Sequence, residues 1–218
     1  MKIGDRLKKA SKFALDILFP PFCVNCGKEG MYICKECSLF VLEASLVCPV
    51  CFKQSYKGEV HEGCKNNSLD GLISIFEYNG LVKELIKEVK ENHLSHALYE
   101  LTDRAIISVL EDKERFSSFL SLILDKETRI TYVPMVKKKE SGRGFNQAKI
   151  IAEELGKKTG CRVIDSIRIV EELNNREYIN IVLVDDFLLT GETLKRYSRV
   201  LRGRGVRSIW GFTLARAC

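Results

Sequence analysis

The sequence predicts a parallel α/β sheet with helices on both faces, preceded by a small cysteine-rich module. Seven of the nine cysteines lie between Cys23 and Cys64, and apolar strands alternate with helical patterns in the rest of the chain. The continuous aliphatic run Ile181–Val184 is typical of a strand buried on both faces of a parallel sheet. We therefore expect residues 1–66 to form an N-terminal helix and the cysteine-rich module, and residues 67–218 to form the α/β domain.

The first segment, Met1–Phe19, has the pattern of an amphipathic helix. Its apolar residues recur at helical spacing and share one face: Ile3, Leu7, Ala10, Ala14 and Ile17. Asp16 interrupts the apolar stretch, which argues against a signal peptide. With 45% hydrophobic and 29% charged residues and no apolar run long enough to span a bilayer, we expect a cytoplasmic globular protein.

The module contains four closely spaced ligand pairs. They are Cys23-Val-Asn-Cys26, Cys34-Lys-Glu-Cys37, Cys48-Pro-Val-Cys51 and His61-Glu-Gly-Cys64. Two intervening residues allow a tight turn to direct both side chains at one metal ion, and the module is too small to fold on a core alone. The alternative is a disulfide framework, which is unusual in a cytosolic chain. We predict that this module is a double zinc ribbon with two closed, structural zinc sites, the first held by Cys23, Cys26, Cys34 and Cys37, and the second by Cys48, Cys51, His61 and Cys64.

The formal net charge of +6 overstates how basic the protein is. A zinc ion with four thiolates contributes −2, and one with three thiolates and a histidine contributes −1, which brings the total to about +3. Net charge is therefore weak evidence for nucleic-acid binding.

The remaining elements follow from hydrophobic periodicity. Helices are predicted over Leu81–Asn92, Ser95–Leu110, Phe116–Leu124, Phe145–Lys158 and Thr193–Arg204, and strands over Arg129–Val136, Cys161–Ile164 and Val206–Leu214.

The segment from Ile181 to Thr193 carries a candidate ligand site. Asp185 and Asp186 follow the buried strand, and Thr190-Gly191-Glu192-Thr193 forms a turn that opens a helix. Free backbone N–H groups at a helix N-terminus suit a phosphate, and paired acids can accept hydrogen bonds from hydroxyl groups of a ligand. The sequence has no glycine-rich loop ending in Gly-Lys-Ser or Gly-Lys-Thr, which argues against an ATPase.

This segment resembles the phosphoribosyl-diphosphate motif of type I phosphoribosyltransferases. Together with the zinc pairs, the Ile17–Cys23 lead-in and the Arg143-Gly-Phe-Asn-Gln147 signature, the chain resembles the ComF family of bacterial competence proteins over nearly its full length. The resemblance implies a type I phosphoribosyltransferase-like sheet and a role in DNA uptake.

The resemblance also implies roles for individual residues. Asp185 and Asp186 would hold ribose hydroxyls, and Thr190, Gly191, Glu192 and Thr193 would surround the 5′-phosphate, mainly through backbone amides. The basic loop Val136–Gly144 would contact pyrophosphate, chiefly through Lys137 and Arg143. Mg²⁺ would bridge oxygens of phosphoribosyl diphosphate rather than occupy a protein cage.

Three departures from the family pattern bear on catalysis. Phe187 replaces a smaller aliphatic residue, and Leu189 replaces a small residue such as threonine. The segment Asp165–Asn180 is shorter than the one that forms part of the active-site hood in the family. A short hood leaves the site open to water, so the sequence leaves enzymatic activity undecided.

Several functions remain open. The first is an accessory protein of DNA uptake in natural transformation that carries a phosphoribosyl-diphosphate-type site, with single-stranded DNA and DNA-uptake helicase or processing proteins as partners. The second is an active phosphoribosyltransferase, a pentosyl transferase acting on an unknown base or amine. The third is a non-catalytic sensor of a phosphoribosyl ligand, and the fourth is a loop that retains the fold without a ligand.

Overall fold

The structure is a computed structural model that describes residues 20–65, 68–91, 94–135, 145–166, 168–169, 171 and 180–217. The predicted helix over Met1–Phe19 and the basic loop with Lys137 and Arg143 lie outside the described residues. So do residues 172–179, which make up half of the shortened hood segment Asp165–Asn180.

Within the described ranges, five strands form one parallel sheet. The strands are β1 (Gly71–Glu77), β2 (Thr128–Tyr132), β3 (Arg162–Val163), β4 (Asn180–Leu188) and β5 (Ser208–Arg216). Their order across the sheet is β1-β5-β4-β2-β3. The predicted parallel α/β sheet is therefore confirmed, with β4 at its centre.

The helices of the α/β domain follow the predicted periodicity closely, whereas the short helix α1 in the cysteine-rich module was not predicted. They are α1 (Lys35–Ser38), α2 (Gly80–Glu91), α3 (Ser95–Glu111), α4 (Ser117–Ile123), α5 (Gln147–Thr159) and α6 (Glu192–Arg202). None of the helices in the described part of the chain is long and apolar enough to cross a membrane.

Both faces of the sheet are covered, as β4 shows. Val182 and Val184 join the large apolar cluster that contains residues of α3 and α5, whereas Ile181 and Leu183 join a second cluster that contains Leu194 of α6. Successive side chains of a strand point to opposite faces, so this division places helices on each side. The continuous aliphatic run is thus explained by burial on both faces.

The cysteine-rich module packs directly on the domain. The Ala44 N–H donates to the carbonyl of Ile75 at 2.8 Å, and the Glu77 N–H donates to the carbonyl of Leu42 at 2.9 Å, so residues 42–44 extend the edge of β1. On the other side, the carboxylate of Glu100 in α3 accepts hydrogen bonds from the backbone of Tyr32 and Ile33 at 2.9 and 3.0 Å. The boundary near residue 66 stays a prediction, because the described residues on its two sides share a core and hydrogen bonds.

β4 extends further than predicted. The aliphatic run ends at Val184, where the pairing with β2 also ends, but β4 continues beside β5 as far as Leu188, opposite Arg216. Because β5 still pairs with β4 along this stretch, Asp185 and Asp186 remain in extended backbone. On the other side, they face the space beyond the end of β2.

Candidate functional site

Two groups of four side chains form candidate metal centres. Each group brings its sulfur and nitrogen atoms within 4.8 Å of one another, and the groups are the two predicted sets: Cys23, Cys26, Cys34 and Cys37, and Cys48, Cys51, His61 and Cys64. The eight cysteines in the described ranges are free thiols, which argues against the disulfide alternative. Each group can hold one metal ion with four protein ligands and no open position.

In the first group, backbone turns direct the sulfurs inward. The Gly27 N–H donates to the carbonyl of Cys23 at 2.8 Å, which closes the first turn. Cys34 caps α1, and its sulfur accepts a hydrogen bond from the Cys37 N–H at 3.4 Å. The side-chain amide of Asn25 donates to the Cys37 sulfur at 3.2 Å. Donors aimed at sulfur favour the thiolate, which is the form that binds metal.

In the second group, the histidine has the tautomer that a metal requires. His61 Nε2 lies 3.1 Å from the carbonyl oxygen of Gln54, and a carbonyl can only accept, so Nε2 carries the proton. The other nitrogen, Nδ1, then has a free lone pair, and it lies 3.4 Å from the Cys51 sulfur. A backbone carbonyl that orients a metal-binding imidazole in this way is common at zinc sites.

The thiols of the second group differ in acidity. Burial opposes ionisation of Cys48, but the backbone N–H groups of Cys51, His61 and Val50 lower the pKa of Cys48 to about 7. Burial, followed by hydrogen bonds to Cys51 and Cys48, raises the pKa of Cys64 to about 11. The Cys48 thiolate is therefore available near neutral pH, whereas Cys64 loses its proton readily only beside a cation.

A cavity of about 430 Å³ lies at the carboxyl end of β4. Of the residues predicted to bind ribose or phosphate, five line it: Asp185, Asp186, Thr190, Gly191 and Thr193. Glu192 is not among the lining residues, and its side chain is 72% exposed, so only its backbone faces the turn. The carboxyl ends of parallel strands are where open α/β sheets bind ligands.

The two paired acids lie in different environments. Burial, followed by the neighbouring charge of Asp186, raises the pKa of Asp185 to about 7, although the Asp186 N–H donates to Asp185 Oδ1 at 3.0 Å. Asp186 is held differently: its Oδ1 accepts from the Phe187 N–H at 2.8 Å, and its Oδ2 lies 3.5 Å from Lys90 Nζ. The site thus holds one paired carboxylate beside a second whose proton can leave near neutral pH.

The turn before α6 has the geometry of an anion site. Gly191 has a φ of 71°, which a side chain rarely tolerates, and the Glu192 N–H is 3.4 Å from Thr190 Oγ1. The N–H groups of the first turn of α6 have no partner within the helix, and the helix dipole places partial positive charge there. The turn can therefore accept a phosphate at the same cavity as the two acids.

Sequence reasoning missed several residues at this cavity. Lys90 lies at the end of α2, about 95 residues before Asp186, and Asn146, Gln147 and Arg196 also line the cavity. Asn146 caps α5, because its side-chain oxygen accepts from the Lys149 N–H at 3.2 Å, and its amide donates to the Val133 carbonyl at 3.2 Å. A lysine on the last turn of an amphipathic helix gives no sequence signal of its contact with a distant strand.

Comparisons with known proteins agree with this geometry. The pattern of the phosphoribosyl transferase domain family matches residues 75–217. The chain is 29% identical to the competence protein ComFC of Bacillus subtilis over 95% of this chain and 92% of that protein. It is 23% identical to the DNA utilization protein YhgH of Salmonella typhimurium over 89% of this chain and 88% of that protein. The predicted resemblance to ComF proteins is confirmed.

Proposed function

The chain belongs to the phosphoribosyl transferase domain family, and we propose that it is an accessory protein of DNA uptake that binds a phosphoribosyl ligand at the end of β4. The observation that carries the ligand proposal is the position of Asp185, Asp186 and the N-terminal turn of α6 around one cavity. The carboxylates suit ribose hydroxyls, and the turn suits the 5′-phosphate of the same ligand. Lys137 and Arg143 remain the proposed pyrophosphate contacts, on sequence alone.

The ligand proposal includes a metal that the protein does not cage. Mg²⁺ bound to phosphoribosyl diphosphate would be held by ligand oxygens, with a carboxylate oxygen of Asp186 or Asp185 as the nearest protein donor. Lys90 contacts Asp186 and so partly neutralises it, which limits how strongly this pair alone would attract a cation.

We assign one structural zinc ion to each four-ligand group. The donor sets of four sulfurs, and of three sulfurs with one imidazole, suit zinc, and no position is left for a substrate. The hydrogen bond from His61 Nε2 to Gln54 supports this assignment for the second group. Metal ligation by thiolates also supports the cytoplasm as the compartment, because oxidising compartments favour disulfides.

The role in DNA uptake is supported by relatives whose names describe competence and DNA utilization. A genetic test uses a Bacillus subtilis strain that lacks its competence protein ComFC. Expression of this chain should restore transformation by added DNA, and the double variant Asp185→Asn with Asp186→Asn should not. Glu192→Ala is the matched control, because its side chain is exposed and does not line the cavity. Restoration by the double variant would contradict a role for the ligand site.

The second candidate function is an active phosphoribosyltransferase, favoured by the same two acids. A pyrophosphate-release assay across a panel of bases and amines separates the two. Release that depends on Asp185 and Asp186 would make the protein an enzyme, whereas ligand binding without release would support a binding role.

A further inference from the structure

The two metal-ligand groups contain turns with matching backbone hydrogen bonds, and the residue that ends each turn differs, Gly27 in the first and Phe52 in the second. In the first turn, the Gly27 N–H donates to the Cys23 carbonyl at 2.8 Å, and in the second the Phe52 N–H donates to the Cys48 carbonyl at 3.0 Å. Both residues have left-handed backbone, with φ of 72° for Gly27 and 58° for Phe52. Glycine adopts this conformation freely, but a phenylalanine is disfavoured there. A residue that opposes local preference suggests that its side chain has a role elsewhere.

The ring of Phe52 reaches the phosphate turn of the other domain. A Cβ atom at Gly191 would lie 3.0 Å from Phe52 Cζ, so ring and glycine backbone are in close contact. The ammonium group of Lys195, one turn into α6, lies 5.2 Å from the centre of the same ring. Phe52 also packs against the apolar cluster that contains Leu188 and Leu194, which flank the turn on both sides.

The phosphate turn depends on packing to fix its position. Gly191 occupies the cap position of α6 and has no side chain with which to cap the helix. Thr190 supplies a hydrogen bond at 3.4 Å, and its side chain is exposed. The ring of Phe52 therefore packs against the turn at Gly191, the residue that has no side chain of its own.

We propose that Phe52 is a positioning residue for the phosphate turn and that the second metal-ligand group holds its ring against Gly191. This inference rests on the proposed phosphoribosyl ligand. Cys48 and Cys51 anchor the turn that carries Phe52, and His61 and Cys64 complete the group from the following segment. Loss of the metal releases the turn, and Phe52 then relaxes from its disfavoured conformation and leaves Gly191. Ligand affinity and metal retention are thereby coupled, and the coupling acts in both directions.

The test uses the full chain and the variant Phe52→Gly. Glycine suits the left-handed backbone, so the metal group should stay intact, with two zinc ions per chain by elemental analysis. Affinity for phosphoribosyl diphosphate with Mg²⁺, measured by calorimetry, should fall by about 5- to 30-fold. Phe52→Leu, which keeps an apolar side chain and adds no atom at the position of the ring tip, should retain more of the affinity than Phe52→Gly. Tyr56→Ala is the matched control, because Tyr56 is an aromatic residue of the same module that is 76% exposed.

A second measurement does not need the ligand. The Lys195 N–H donates to the Gly191 carbonyl at 2.9 Å, so its hydrogen exchange reports on the first turn of α6. Exchange in the peptide covering residues 189–196 should accelerate in Phe52→Gly and in zinc-depleted protein, and not in Tyr56→Ala. If the unaltered protein binds no phosphoribosyl diphosphate, the proposed function fails, and the exchange data alone decide the positioning role. Unchanged exchange in Phe52→Gly would overturn the positioning role of Phe52. If the unaltered protein binds the ligand, an unchanged affinity in Phe52→Gly would overturn it as well.

Discussion

The ammonium group of Lys90 lies 3.5 Å from Asp186 Oδ2 and 3.4 Å from the centre of the Phe187 ring. Phe187 in turn stacks on Tyr78, with ring centres 4.8 Å apart. Phe187, which departs from the family pattern, therefore helps to hold the ammonium group of Lys90 in place. Lys90 puts a positive charge beside the paired acids without any contribution from the basic loop.

We expect Lys90→Met to weaken ligand binding near neutral pH. Lys90 is one of the groups that lower the pKa of Asp185, so its loss should raise that pKa above its present value of about 7. A larger fraction of Asp185 would then be protonated at pH 7. Carboxyl titration followed by ¹³C NMR measures the shift. Lys87→Met, an exposed position on the same helix, is the control, and an equal pKa in both variants would contradict this role of Lys90.

We expect Asp185→Asn to raise the free energy of unfolding above pH 7 and, at the same pH, to lower the affinity for the phosphoribosyl ligand. The pKa of Asp185 is about 7 in the folded protein, above the ordinary value of 3.8, so its contribution to stability is present below pH 4 and is lost as pH rises to 7. Above pH 7 the variant should therefore unfold at higher denaturant concentration than the unaltered protein.

Asp185→Asn should also remove the change in ligand affinity that accompanies the titration of Asp185. Affinity of the unaltered protein should rise as pH passes through about 7, because the charged carboxylate is the stronger acceptor for ribose hydroxyls. The phosphate of the ligand also titrates in this range, but it does so equally with both proteins. A ratio of the two affinities that does not change between pH 6 and pH 8 would contradict the assignment of Asp185.

We expect two zinc ions per chain in protein purified without chelator. His61→Cys should retain both, since sulfur replaces nitrogen in a four-ligand site, whereas His61→Ala should retain the first and lose the second. Elemental analysis with thermal unfolding measures this. Because residues 42–44 extend the edge of β1, loss of metal should also lower the melting temperature of the sheet domain. Iron in place of zinc, or an unchanged metal count in His61→Ala, would contradict the assignment.

We expect single-stranded DNA to bind weakly, because the net charge is modest once two metal sites are filled. Binding should depend strongly on salt, because the basic cluster Lys137–Arg143 would contact phosphates. Replacing Lys137, Lys138 and Lys139 with glutamine should flatten the slope of log affinity against log salt by up to about three contacts. Fluorescence anisotropy at several salt concentrations measures the slope. An unchanged slope would place the DNA site elsewhere on the chain.

The sequence predicted the elements well where local patterns decide them. The aliphatic run at Ile181–Val184 predicted the central strand, and the ligand spacing around Cys48 and His61 predicted which side chains converge. Both signals are local, because buried strands need apolar residues and metal ligands need short turns.

Contacts between distant segments were not predictable in the same way. Lys90 contacts Asp186, and Phe52 contacts Gly191, only because the fold brings these distant segments together at the carboxyl end of β4. The extension of β4 to Leu188 was also missed, since it depends on pairing with β5 rather than on apolar side chains. Contacts that depend only on tertiary packing cannot be predicted from the local pattern of a single sequence.

Asp185, Asp186 and the turn before α6 together form the proposed phosphoribosyl site. Calorimetric titration of the full protein with phosphoribosyl diphosphate and Mg²⁺ measures whether they bind this ligand. We expect saturable binding of one ligand per chain, weakened by about 1–3 kcal/mol in the double variant Asp185→Asn with Asp186→Asn, because the ribose hydroxyls lose charged acceptors. Glu192→Ala should bind as the unaltered protein does. No heat of binding, or equal affinity in the double variant, would contradict this proposal.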